Sequence, residues 1–210
     1  MRITVFGATG GTGRHLVRQA LDAGHQVTAV VRNPAGLNGQ SHPRLDVLTA
    51  DVMDPAAIKS AVDGQDAVVS ALGPRSRGET TVCSSGARAI ITAMQAAGAR
   101  RLVVVTASGH VVDDGDGPFT RVVVKPLLRR YLRESFADLA RTEQAVRASG
   151  LDWTIMRPPR LTDGESRAYR TAVDRNVRGG FLISRADLAH ATLTALADPA
   201  TIGHTIALGY

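Results

Sequence analysis

Short apolar runs alternate with amphipathic stretches along almost the whole chain, and this alternation predicts a parallel sheet covered by helices on both faces. Arg2 to Phe6 reads as a strand. About Thr12 to Ala23 reads as a helix, with Leu16, Val17, Ala20 and Leu21 on one face and Gly24 ending it. Gln26 to Val31, Leu45 to Ala50, Asp66 to Ser70 and Arg101 to Thr106 are further apolar runs of strand length. Asp54 at an N-cap and Pro55 at the first helical position open a second helix. A third helical pattern, Thr81 to Ala97, closes at Gly98. Two long helical patterns follow, broken by Pro126, the second running from about Ser135 to Ser149. Asp152 to Arg157 reads as a strand stopped by Pro158 and Pro159, which cannot donate to a ladder. Ser184 to Asp187 has the form of a capping box with Asp in place of Glu, and His204 to Leu208 reads as a last strand.

The pattern predicts one α/β domain over residues 1–210, a doubly wound parallel sheet with a small C-terminal region that walls the substrate site. The irregular stretch 160–183 is the expected insertion at that site, because ligands of open α/β sheets lie beyond the carboxyl ends of the strands.

Between the first strand and first helix stand Gly7, Gly10 and Gly13 at three-residue spacing. Such a turn uses glycine for positive φ, for close approach of main-chain N–H groups to a pyrophosphate, and for helix–sheet packing. The following helix aims its positive end at the phosphates, and Thr9 and Thr12 add hydroxyl donors. No Lys-Ser or Lys-Thr follows, which excludes a P-loop. The second strand ends in Arg32 rather than an acid. A guanidinium there pairs with the 2′-phosphate of NADP, whereas an acid would bind the ribose hydroxyls of NAD; NADP(H) is the expected cofactor.

The formal charge is +6, with only Lys59 and Lys125 among the lysines. The arginines are scattered among acids and the aromatic content is 4%, so the charge points to anionic small molecules rather than nucleic acid. The densest basic group, Arg121, Lys125, Arg129, Arg130 and Arg133, reads as a solvated helix face that could also recruit a phosphate-bearing ligand. Cys83 is the sole cysteine, no apolar run approaches membrane-spanning length, and Met1 leads almost directly into the first strand. A cytoplasmic protein without a membrane partner is expected.

With FGATGGTGR at 6–14, VTAVVRNP at 27–34, TADVMDP at 49–55, GQDAVVSALG at 64–73, TTVCSSGAR at 80–88, SGLDWTIMRPP at 149–159 and ISRADLAH at 183–190, the chain resembles the atypical short-chain dehydrogenases/reductases of Rossmann fold. The nearest likeness is to the NADPH-dependent flavin reductase / biliverdin reductase B family and its NmrA-like relatives. The resemblance implies that Gly7, Thr9, Gly10, Thr12 and Gly13 hold the pyrophosphate and Arg32 the 2′-phosphate. It implies that Asp51 and Val52 flank the adenine, that Leu72, Gly73 and Arg75 lie beside the ribose and nicotinamide, and that Arg157, Pro158 and Pro159 close over the ring by backbone contact. In two places this chain departs from the family pattern. The family's serine near the nicotinamide aligns with Ala107, one residue before Ser108, and Arg160 stands where the flavin-reductase pattern has a histidine after Pro-Pro.

The Tyr-x-x-x-Lys dyad of ordinary short-chain dehydrogenases is absent: Ser135 follows Tyr131 and Val173 follows Tyr169 at that spacing. A flavin or quinone can accept hydride directly and take a proton from water, needing only a nearby cation such as Arg160. Three classes remain: an NADPH-dependent reductase of flavins, quinones or related flat acceptors such as tetrapyrroles, with Ser108 and Arg160 as its catalytic candidates; a non-catalytic NADP(H) sensor; and an isomerase or epimerase. No histidine or cysteine spacing suggests a metal. His110 follows the fifth strand and could face the site, though a surface-loop residue is the better reading; the run from Asp113 to Asp116 reads as a solvated turn, and Cys83 as a small buried packing residue in preference to a thiol of lowered pKa at a helix start. The sequence leaves the oligomeric state open.

Overall fold

The structure, a computed structural model, describes residues 1–37, 41–73, 80–118 and 120–210. Strands β1 (Arg2–Phe6), β2 (Gln26–Val31), β3 (Leu45–Thr49), β4 (Ala67–Ser70), β5 (Arg101–Val105) and β6 (Asp152–Arg157) build the parallel core of the sheet in the order β3-β2-β1-β4-β5-β6. The order reverses between β1 and β4, which opens a crevice above their carboxyl ends. The expected doubly wound, Rossmann-like sheet is therefore present.

Two strands extend this core, the expected last strand and one the pattern does not announce. β10 (His204–Gly209) pairs parallel with β6, and β8 (Arg170–Val173) pairs antiparallel with β10 at the edge. β8 and the short strand β7 (Arg160–Thr162) both come from the stretch that reads as irregular, and β7 pairs in parallel with β9 (Leu182–Ser184) in a separate two-stranded sheet. Three or four residues leave too little periodicity to be legible.

Helices α1 (Gly11–Asp22) and α6 (Arg185–Ala197) cover one face, and α2 (Pro55–Val62), α3 (Val82–Ala97) and α5 (Arg133–Arg147) cover the other. Leu16, Val17 and Leu188 pack with Ile3 and Val5 on the first side, while Ile58, Ile90 and Met94 pack with Phe6 and Leu102 on the second. α2 starts as its sequence dictates: Asp54 accepts the Ala56 N–H at 2.9 Å and Pro55 occupies the first turn. α6 is capped by Ser184, which accepts from Asp187 N at 3.0 Å. The reciprocal arm of the expected box runs through a third residue: Ser184 N donates to the Tyr210 hydroxyl, which donates to Asp187.

Pro126 does not separate two helices. A π-helical turn, Thr120–Val124, leads directly into α4 (Lys125–Tyr131), Pro126 stands at this junction, and the break before α5 falls at Leu132.

Candidate cofactor cleft and acceptor cavity

The turn after β1 assigns its glycines different tasks. Gly7 has φ +77°, and a Cβ there would lie 2.6 Å from the Ala71 carbonyl oxygen. A Cβ on Gly13 would lie 2.1 Å from the Gly7 oxygen, so this glycine lets α1 rest on the turn itself. Gly10 has an ordinary φ of −73° and is exposed; its N–H donates to Gly7 O at 2.9 Å. α1 then opens with no side-chain cap and no acid in its first turn, leaving its leading N–H groups to face an incoming anion.

Above this turn lies a cleft of about 560 Å³. Gly7, Thr9, Gly10 and Thr12 form its floor, Arg32, Asp51 and Val52 one end, and Leu72 and Gly73 the β4 side. Gly13 lies beneath the floor as packing. Arg75 lies outside the described residues. Arg32 is exposed directly after β2 and has no ion-pair partner among the described residues. The Asp51 carboxylate accepts Met53 N at 3.0 Å within its own turn. Space free of Cβ atoms, forward-facing N–H groups and an unengaged cation are what a dinucleotide phosphate needs, so the residues present fit such a cofactor. Leu161 of β7 and Arg185 of α6, which sequence reasoning did not single out, line the same cleft.

A second cavity, about 550 Å³, is lined by Ala107, Ser108, Arg157, Pro158, Pro159 and Arg160. Ser108 N donates to Pro158 O at 2.8 Å, joining the loops after β5 and β6. Leu128, Leu132, Phe136, Phe181 and Leu208 make most of its wall apolar. Arg160 is exposed, with no ion pair among the described residues. Its neighbour Leu161 lines the cleft, so one short strand borders both spaces.

The Arg157 guanidinium is turned to a different use from cofactor contact. It clasps Glu143 of α5 with two hydrogen bonds, Nε to Oε1 at 2.8 Å and the second from the terminal nitrogen to Oε2. Thr106 Oγ1 donates to the same carboxylate at 3.0 Å, and His110 Nε2 lies 3.3 Å from it. Burial alone would push the Glu143 carboxyl up, but the hydrogen bonds from Arg157 and His110 outweigh burial and hold it well below the usual carboxylate range. His110 is thus not a surface-loop residue: its side chain is 7% exposed, and Nδ1 contacts Ala107 O at 2.7 Å. Periodicity carries no signal for a contact between residues 33 positions apart in a loop and a helix.

Two further expectations change. Lys125 leaves the solvated basic face and is buried against Asp116, Nζ to Oδ2 2.6 Å, while Arg121, Arg130 and Arg133 remain exposed. The acidic turn is accordingly anchored rather than free: Asp113 accepts Gly115 N and Asn176 N, and Asp116 accepts Asp113 N. Cys83 is buried as expected; burial, with Asp138 beside it, pushes its thiol up to about 12. Asp138 accepts the Cys83 and Ser84 N–H groups at the start of α3.

The chain is 29% identical over 206 residues to the protein YwnB of Bacillus subtilis, covering 95% of this chain and 93% of that one. Among solved structures, a short-chain dehydrogenase/reductase from Veillonella parvula in complex with NADP superposes with a TM-score of 0.81 at 19% identity, covering 100% of this chain and 94% of the other. ChuY, an anaerobilin reductase from Escherichia coli O157:H7, superposes with a TM-score of 0.76 at 24% identity, covering 99% and 96%. Residues 7–199 match the model of the NAD(P)H-binding family, so the match begins at the first glycine of the turn and includes most of the residues that line the two cavities. With the glycine cradle, the uncapped helix and the crevice between β1 and β4, that match makes the chain a member of the NAD(P)H-binding family.

Proposed function

We propose that the protein is an NADPH-dependent reductase that passes hydride to a flat conjugated acceptor of the flavin, quinone or tetrapyrrole kind. The observation that carries the reading is β7, whose consecutive residues Arg160 and Leu161 border an apolar cavity and the dinucleotide-sized cleft respectively. Arg32 favours the phosphorylated cofactor, since its donors are unengaged by described residues and its cation suits a 2′-phosphate. The Veillonella relative's NADP and the tetrapyrrole chemistry in the name of ChuY support the same assignment.

A bound dihydronicotinamide supplies a hydride. The chain's part is positioning and charge. Gly7, Gly10 and the first turn of α1 hold the pyrophosphate, and Leu72, Gly73, Pro158 and Pro159 fix the position of the ring. Leu128, Leu132 and Phe136 keep water from the acceptor's faces, and Arg160 stabilises the negative charge that develops as hydride arrives. Ser108 offers a hydroxyl to a heteroatom of the acceptor. The proton comes from water, since the cavity's other charged groups, Asp116, Lys125 and Arg157, are committed to protein partners.

The test is NADPH oxidation in a single turnover with FMN, a benzoquinone and a linear tetrapyrrole. Oxidation with at least one is expected, and Arg160→Ala should slow it about 10²-fold while leaving NADPH affinity near the wild-type value. Tight NADPH binding with no oxidation of any acceptor replaces this reading with that of a cofactor sensor.

A further inference from the structure

Arg185 is the first residue of α6, and three contacts fix where it can reach. The backbone on either side of it is fixed, since Ser184 N donates to the Tyr210 hydroxyl and Asp187 N donates to Ser184 Oγ. The β7–β9 pairing sets Thr162 opposite Ser184, so the next residues, Asp163 and Arg185, are neighbours, and their side chains meet at 2.8 Å. The aliphatic part of Arg185 lies flat over Gly11: a Cβ on Gly11 would stand 2.6 Å from its Cδ and 2.7 Å from its Nε. The guanidinium thus crosses the first turn of α1, at the edge of the cleft floor.

The group is under-used there. One terminal nitrogen binds Asp163, whose side chain is 82% exposed; the remaining donors have no partner among the described residues. An exposed carboxylate is a weak holder for an arginine, and a phosphate in a site that also offers helix N–H groups is a stronger one. We infer that Arg185 is a pyrophosphate-binding residue of the cofactor cleft, held by Asp163 in the free protein and passed to the phosphates when cofactor enters. The inference rests on the assignment of the cleft to a dinucleotide, but not on the acceptor or on turnover.

The experiment is calorimetric titration of NADPH and NADH into wild type, Arg185→Gln, Arg185→Lys, Arg32→Ala and Asp163→Asn, with thermal melting of each free protein as the folding control. Arg185→Gln should raise the Kd for both cofactors by the same factor, about 10-fold or more, because both carry the pyrophosphate; Arg185→Lys should recover part of it. Arg32→Ala should affect NADPH alone. Asp163→Asn, by releasing the guanidinium, should tighten NADPH two- to threefold, on the order expected of an exposed ion pair. Unchanged affinities in Arg185→Gln, or a loss confined to NADPH, would overturn the pyrophosphate contact, and unchanged or weaker binding in Asp163→Asn would overturn the exchange. Wild type that binds neither cofactor would instead remove the cleft assignment on which the inference stands.

Discussion

Glu143→Gln isolates the charge of the buried carboxylate at almost constant shape. In the wild type Glu143 is 6% exposed at its side chain and takes hydrogen bonds from Arg157 and Thr106 with His110 close by, while the Arg157 side chain is 9% exposed. Without the negative charge, Arg157 is left as a buried cation facing a neutral amide, a loss of about 3–5 kcal/mol. Against a total stability on the order of 5–15 kcal/mol, that should be plain in urea unfolding at pH 7. The pH dependence sharpens the test. The folded carboxyl is held below its unfolded value, near 4.5, so the unfolded state binds the extra proton and wild-type stability falls as the pH drops below that value. The advantage of wild type over Glu143→Gln should then shrink by about 1.4 kcal/mol per pH unit below pH 4.5. A variant within about 1 kcal/mol of wild type at pH 7, or a difference that does not narrow in acid, would refute the buried ion pair.

Arg32→Ala should weaken NADPH by about 1.5–3 kcal/mol and leave NADH unchanged, read by calorimetry or by NADPH fluorescence. Trp153 is a poor reporter for either, since it lies near the start of β6, far from Arg157 at the carboxyl end, with Arg147 5.1 Å from its ring. Gly10→Val should abolish cofactor binding with a smaller loss of melting temperature than Gly13→Ala, because Gly10 has ordinary φ, lines the cleft, and its Cβ would stand 3.2 Å from the Gly7 oxygen. Gly13→Ala should instead destabilise the fold by about 1–3 kcal/mol or more, as its methyl would meet the Gly7 oxygen; equal melting temperatures of these two variants would contradict the division of roles. Cys83 should react with a disulfide reagent at pH 8 on the order of 10³-fold more slowly than a free thiol, and rapid modification of the native protein would show the thiol is not held where the structure has it.

The core of the fold was legible because its signals are local. The β1–Gly7–α1 turn, the Asp54-Pro55 start and the apolar strands each announce themselves within a few residues. The features without a local signal depend on partners far apart in the chain. Lys125 looks like one of five surface cations until Asp116 and Val111 fold over it. His110 and Arg157 look like a loop residue and a strand end until Glu143 joins them. Arg185 sits in a motif whose capping role is readable, yet its place above Gly11 follows from the β7–β9 pairing, and strands of three residues have no period to read. The same locality explains the contrast between the two spaces: the cleft over the glycine turn is written in contiguous motifs, and the second cavity is assembled from the loops after β5 and β6, α4, α5 and the 176–182 segment.

Hydride transfer from NADPH to a flat acceptor is tested by single-turnover oxidation of NADPH against NADPH deuterated at the transferred position of the nicotinamide. A primary isotope effect is expected with the deuterated cofactor. Bound NADPH that is never oxidised, or oxidation insensitive to the deuterium, would contradict it.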